Sequence, residues 1–306
     1  MPAPKSSIFD KKNLYTLFFM AILSLVCATI LSILASSLKE PQEKAKDLDR
    51  SKQMLIAARI LSPYGFFQVQ NDKGEYVPAL ASNNGVLETS DSQVYPSQEQ
   101  ILAVYKNRIR AILVNDQGEE ETFANAGINE PKYVSEYRKS GYYKEPLKLV
   151  YEILANPSGD QKKQQIEGYV IPVNGMGLWD AIYGYLAIKP DGDTVIGISW
   201  YDQKETPGLG ANISEPEWQS QFPGKVIFQE SADGKTDFKS APLGIVVVKG
   251  KVKETLGDSP KSHSAVDGMA GATLTGNGVT NAYRDVLAKY RPFLMRLHEK
   301  TSRGEQ

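Results

Sequence analysis

The sequence predicts an α+β protein, with a single N-terminal transmembrane helix followed by a domain of antiparallel sheet and packed helices. Three observations carry that reading. No charge interrupts residues 13–38. From residue 148 onward, short segments rich in β-branched and aromatic residues alternate with Gly, Pro, Asn and Asp. Residues 279–291 then repeat apolar side chains at helical spacing.

The chain has 306 residues, enough for a sizeable core. Lys and Arg number 35 against 36 Asp and Glu, and no basic stripe follows a helical pattern. That balance argues against a nucleic-acid partner. The single cysteine, Cys27, excludes an intrachain disulfide, a Cys-x-x-Cys redox pair and a cysteine-cluster zinc site. Two histidines, His263 and His298, lie far apart and read as surface residues rather than metal ligands.

Taken in order, residues 1–12 form an expected cytoplasmic tail. Residues 13–38 exceed the roughly 20 apolar residues that cross a bilayer core and the roughly 7–15 of a signal-peptide core, so an uncleaved anchor in contact with membrane lipid is expected. Lys5, Lys11 and Lys12 precede it, and Lys39, Lys44, Lys46, Arg50 and Lys52 follow it, so charge counting leaves the orientation open. Residues 39–62 read as a linker helix. Residues 63–145 read as an enlarged α/β insertion: strand, turn and strand over 66–79, loop over 81–98, and helix over 99–114. Residues 146–291 form the expected sheet-and-helix domain, with strands at 148–155, 168–173, 183–190, 193–201 and 243–250. Pro292 marks the end or a kink of the last helix, and 292–306 form a tail.

Three glycine-marked segments carry the candidate chemistry. Gly175-Met-Gly177-Leu178-Trp179 allows close backbone approach and offers a flat indole. Glu205-Thr206-Pro-Gly208-Leu209-Gly210 combines a proline-set turn with glycines suited to positive φ. Residues 266–278, VDGMAGATLTGNG, are too glycine-rich for an expected helix interior, yet they precede the last helix and present hydroxyls. Read residue by residue, each has a plain alternative. The glycines make turns between strands, Trp179 belongs to the core, and Thr273 or Thr275 caps the helix.

In this order and behind an anchor, the three segments resemble the family of FMN-binding domains found in the C subunit of the sodium-translocating NADH:quinone reductase. The G subunit of the Rnf complex is its relative. The match to the modification motif is Asp267-Gly-Met-Ala-Gly271-Ala272-Thr273, which departs from the family's usual Ser or Thr at Ala270. The resemblance covers about 167–291 and leaves 63–145 as an enlargement without an assigned role.

The resemblance implies FMN held by a phosphoester on Thr273, installed by a flavin transferase. It further implies that Gly177, Leu178, Trp179, Glu205, Thr206, Gly208, Leu209 and Gly210 line the flavin ring. Gly271, Ala272, Leu274 and Thr275 surround the attachment. Lys249 serves the phosphate or the reduced flavin, and Asp267 helps orient the acceptor. On this reading the protein is one subunit of a sodium-pumping NADH:quinone oxidoreductase of the bacterial inner membrane. It relays electrons between other subunits without an NADH site of its own, and its large domain is periplasmic. An Rnf-type subunit and a non-redox anchored scaffold are the competing readings.

Overall fold

The computed structural model describes residues 11–71, 73–156 and 165–304. Residues 1–10 of the expected tail lie outside the described residues. The chain divides into two units, Met1–Asp49 and Arg50–Gln306.

The first unit's described part is helical, within α1 (Lys11–Ala57). Leu14, Phe18, Ile22, Leu25, Ile30 and Leu34 are all exposed to their surroundings. The helix is long and apolar enough to cross a membrane. Such a surface in water would be a large uncompensated apolar area, and lipid removes that cost.

In the second unit the expected 66–79 hairpin is β1 (Phe67–Gln70) and β2 (Tyr76–Ala81), and β3 (Leu87–Thr89) adds a strand inside the expected 81–98 loop. The expected helix over 99–114 is instead two elements. α2 (Gln98–Arg108) starts with a capping box between Ser97 and Gln100. At Ile109 the chain turns extended and becomes β4 (Ile109–Val114). The run Ile-Arg-Ala-Ile-Leu-Val favours strand, and pairing with the next strand overrides the helical spacing.

β4 and β5 (Glu120–Glu121) join β6 (Lys148–Leu154), β7 (Ile166–Met176), β8 (Ala181–Ile188) and β9 (Val195–Asp202) in one antiparallel sheet, ordered β5-β4-β6-β7-β8-β9. The sheet therefore crosses the boundary expected at residue 146. A short helix, α3 (Glu130–Tyr137), lies between β5 and β6. The short helix α4 (Pro216–Gln219) follows β9. The strand expected over 243–250 shrinks to β10 (Val246–Val247), which is paired in parallel with β11 (Ala265–Val266) beyond α5 (Val252–Thr255).

One face of the sheet, with Val150, Ile171, Val173, Leu186 and Trp200, shares a core with the last helix, α6 (Thr273–Ser302). α6 contributes Val279, Tyr283, Val286, Leu287, Tyr290 and Phe293, a stripe at helical spacing. Each large apolar side chain buried there contributes about 1.5–3 kcal/mol. α6 runs through Pro292 to Ser302, so the expected end at 291 moves on by three turns.

α6 also begins earlier than expected. Thr273 to Gly278 are helical, so the glycine-rich stretch does enter a helix. The reason is packing. A Cβ on Gly278 would stand 2.2 Å from the Met176 carbonyl oxygen, and one on Gly276 would stand 3.0 Å from Val247 Cγ1. The loss of helix propensity at these two residues is about 1 kcal/mol each. It is offset by the close approach of α6 to β7 and β10.

Candidate functional site

The three glycine-marked segments meet at the Met176 end of β7, and Glu205 holds them together. Its side chain is buried, 5 % exposed. One carboxylate oxygen accepts from the Trp179 backbone N–H at 3.0 Å. The other accepts from the Leu178 N–H at 3.1 Å and from the Thr275 hydroxyl at 2.5 Å. One acid thus joins the turn after β7, the loop after β9 and the first turn of α6.

The glycines make room for that carboxylate. A Cβ on Gly177 would stand 2.4 Å from Glu205 Oε1, and one on Gly210 would stand 2.4 Å from Thr275 Oγ1. Gly208 serves differently. Thr206 to Leu209 form a tight turn, closed by Leu209 N–H to the Thr206 carbonyl at 3.1 Å, and φ at Gly208 is +74°. That is the position where a turn with leading proline requires glycine.

Burial pushes the Glu205 carboxyl upward, but the Thr275, Trp179 and Leu178 donors outweigh it. The net direction is below the ordinary glutamate range. A charged, hydrogen-bonded carboxylate is therefore the resting state.

Above this buried layer the surface is apolar. Met176, Leu178, Trp179, Leu209 and Leu274 are all exposed. The Trp179 indole is pinned by its Nε1–H to Thr206 Oγ1 at 3.1 Å. Leu209 leans on the loop ahead of α6, where a Cβ on Gly271 would meet Leu209 Cδ2 at 2.9 Å. Thr273 stands exposed at the first position of α6. The residue before it, Ala272, is the N-cap, and no side chain caps the helix. The readings of Thr273 or Thr275 as the cap therefore fall. Thr275 is spent on Glu205, and the first N–H groups of α6 are left without side-chain acceptors, with the positive end of the helix dipole behind them.

Asp267 and Lys249 sit on the neighbouring arm. Asp267 Oδ1 accepts from the Val252 N–H at 2.8 Å, and Oδ2 pairs with Lys251 at 2.9 Å. Burial raises the Asp267 carboxyl, and the Val252 and Lys251 partners bring it below its ordinary value. Its backbone is held as well, with Trp218 Nε1–H donating to the Asp267 carbonyl at 2.9 Å. Lys249 lies where the chain pairs with this arm, between Val248 N–H to Val266 O at 3.0 Å and Gly268 N–H to Gly250 O at 2.8 Å, and its side chain is exposed.

Sequence reasoning did not single out Met176 or Gly278. The signal was present for Gly278, the glycine immediately ahead of the apolar stripe that begins at Val279. Among the described residues no cluster of His, Cys, Asp and Glu could hold a metal ion.

Residues 177–288 match the model of the FMN-binding domain family. Over 99 % of its length the chain is 40 % identical to the C subunit of the Na(+)-translocating NADH-quinone reductase of Chlamydia muridarum, of which it covers 98 %. The chain belongs to the family of this C subunit. The corresponding protein of Pasteurella multocida is 31 % identical, with 92 % of this chain and 93 % of the relative covered. At that coverage the likeness takes in most of residues 63–145 as well as the FMN-binding region. Among solved structures, the C subunit of the Parabacteroides distasonis reductase aligns with a TM-score of 0.51 at 26 % identity, covering 84 % of this chain and 96 % of that one.

The site fits the group that an FMN-binding domain takes. An exposed hydroxyl, uncapped helix N–H groups and an apolar platform with a fixed indole stand side by side.

Proposed function

We propose that this protein is the membrane-anchored flavin subunit of a Na+-translocating NADH:quinone reductase. It carries FMN as a phosphoester on Thr273 and passes electrons between redox centres of its partner subunits. The observation that carries the reading is the exposed, uncapped Thr273 hydroxyl. It stands at the head of α6 beside an apolar platform whose base is locked by Glu205.

Attachment is a phosphoryl-group transfer. The Thr273 oxygen attacks the flavin-side phosphorus of FAD and the bond to the second phosphate breaks. The hydroxyl proton leaves to the transferase's base, and AMP departs. Ala270 and Gly271, small and exposed in the loop ahead of α6, keep bulk away from that oxygen, so a second protein reaches it. Afterwards the α6 N–H groups would hold the phosphate charge, with Lys249 as the cation that would join them. Trp179, Leu178, Leu209 and Leu274 give the ring an apolar seat open to solvent, which suits exchange with partners. FMN supplies the electron chemistry, while this chain supplies position and electrostatics. The buried Glu205 carboxylate would disfavour added negative charge on a ring seated above it, and so would lower that flavin's potential.

In this proposal the second unit lies on the periplasmic side of the bacterial inner membrane. Retention there favours a covalent link, because free FMN is scarce outside the cytoplasm and an ester holds at any concentration.

The test is a denaturing gel of protein from cells that contain the transferase. Yellow fluorescence should stay with the band and vanish in Thr273→Ala. A dark band for the wild-type chain would contradict the reading.

A further inference from the structure

A cavity of 1010 Å³ opens between the β1–β3 sheet and the Ile166 end of β7. Thr273 belongs to the other end of that strand, about 30 Å away at the rise of an extended chain.

Arg59 lines this cavity, and its backbone is unusual. Among the described residues it is the only non-glycine with positive φ, at 56°. It closes α1 as the left-handed residue of a helix-ending motif. Ile60 N–H reaches back to the Leu55 carbonyl at 2.9 Å, and Arg59 N–H reaches the Ile56 carbonyl at 3.0 Å. Glycine is the common occupant of that position, because a Cβ there crowds the following carbonyl. An arginine that keeps such strain points to a task for its side chain.

The Arg59 guanidinium carbon stands 3.9 Å from the centroid of the Tyr76 ring. No carboxylate pairs with it among the described residues. The other arginine of the cavity differs. Arg108 is buried, with Nη2 on Glu167 at 2.5 Å and Nε on the Leu154 carbonyl. One guanidinium is neutralised and the other is held on an aromatic face with its N–H edge free. Ile153, Ile166 and Ile196 also line the space.

We propose that this cavity binds a small organic anion. A carboxylate or phosphate head pairs with Arg59, and an apolar body lies along Ile153, Ile166 and Ile196. A guanidinium fork reads two oxygens at once, and stacking on Tyr76 holds it in place before the ligand arrives. The volume is that of a small-molecule site. The inference does not depend on the flavin.

The experiment is isothermal titration of the full chain in phosphatidylcholine nanodiscs with hexanoate, and with hexanol as the uncharged control. Hexanoate is expected to bind saturably, one per chain, and hexanol at least tenfold more weakly. Arg59→Gly is expected to lower hexanoate affinity at least tenfold while its melting temperature holds or rises, since glycine suits that backbone. Tyr76→Leu is expected to weaken binding several-fold. Absence of saturable hexanoate binding, or equal binding by Arg59→Gly, overturns the proposal. Given saturable, Arg59-dependent binding, adding phosphatidylglycerol to the discs identifies the source. Weaker apparent hexanoate affinity supports a lipid headgroup as the natural anion, and unchanged affinity supports a soluble one.

Discussion

The buried carboxylate of Glu205 accepts a hydrogen bond from Thr275, two residues beyond the exposed Thr273. The loop after β9 is thereby tied to the first turn of α6, and the two backbone donors at Leu178 and Trp179 tie in the turn after β7. The platform around Thr273 is built of exposed side chains, but it stands on this one buried acid.

Glu205→Ala leaves three donors without an acceptor in a buried place. The expected cost is about 2–3 kcal/mol. Urea unfolding followed by far-ultraviolet circular dichroism should show a lower midpoint with an unchanged slope. Glu205→Gln should cost about 1–2 kcal/mol, because each carboxylate oxygen already accepts a backbone N–H and the amide NH2 must replace one of them with a donor. An unaltered midpoint in both variants would refute the bolting role.

Acid should act through the same group. The Glu205 pKa lies below its ordinary value of about 4.5 in the folded chain. Its contribution is therefore fully present above that ordinary value and is lost as pH falls through the folded one. Asp267, also lowered, adds to the loss in the same direction. Melting temperature should hold from pH 7 down to about 5 and drop below that, less steeply in Glu205→Gln. Identical acid slopes for wild type and variant would contradict this linkage.

Gly276 and Gly278 sit in the same helix, yet alanine should treat them differently. At Gly278 the new Cβ meets the Met176 carbonyl oxygen at 2.2 Å, which is backbone and cannot yield cheaply. Gly278→Ala should destabilise by about 1–3 kcal/mol, as overpacking does. At Gly276 the nearest atom is a valine methyl at 3.0 Å, which moves by rotation or a small shift. There the gain in helix propensity, about 1 kcal/mol, should leave the variant near neutral. Thermal melts of the two variants read out the difference directly.

Trp179 tests the platform rather than the fold. The side chain is 67 % exposed, so Trp179→Ala should change stability by no more than about 0.5 kcal/mol. On the proposed attachment, flavin fluorescence in the native protein should rise in this variant, because an indole fixed beside the ring would quench it. Unchanged native fluorescence would remove Trp179 from the flavin's surroundings.

Much of the main domain was legible in the sequence because its signals are local. Runs of β-branched and aromatic residues bounded by turn residues marked β6 to β9, and the 3.6-residue stripe from Val279 to Tyr290 marked the middle of α6. What stayed hidden depends on partners far away in the chain. Ile109–Val114 carries apolar residues that fit a helix or a strand, and only pairing with β6 decides. Val246–Val247 lies in a longer β-branched run, but it pairs with a two-residue strand and an α6 threonine instead of joining the six-stranded sheet. The Val247 N–H donates to Thr280 Oγ1 at 2.9 Å. Glycines at 276 and 278 read as helix breakers until Val247 is seen against the first and the Met176 carbonyl against the second.

The site was legible in part for the same reason. Its motifs named Gly177, Glu205, Gly210 and Thr275, which the fold brings into one contact set. The motifs did not show that Glu205 lies beneath the surface rather than on it, or that Asp267 is already occupied by Lys251 and Val252.

The central claim is the ester on Thr273, and mass spectrometry of the peptide spanning residues 262–284 tests it most directly. Protein should be taken from native membranes of cells that contain the transferase. The account expects the peptide to carry the added mass of FMN, with fragment ions placing it on Thr273 and leaving Thr275 bare. An unmodified peptide, or a flavin mapped to Thr275, would contradict it.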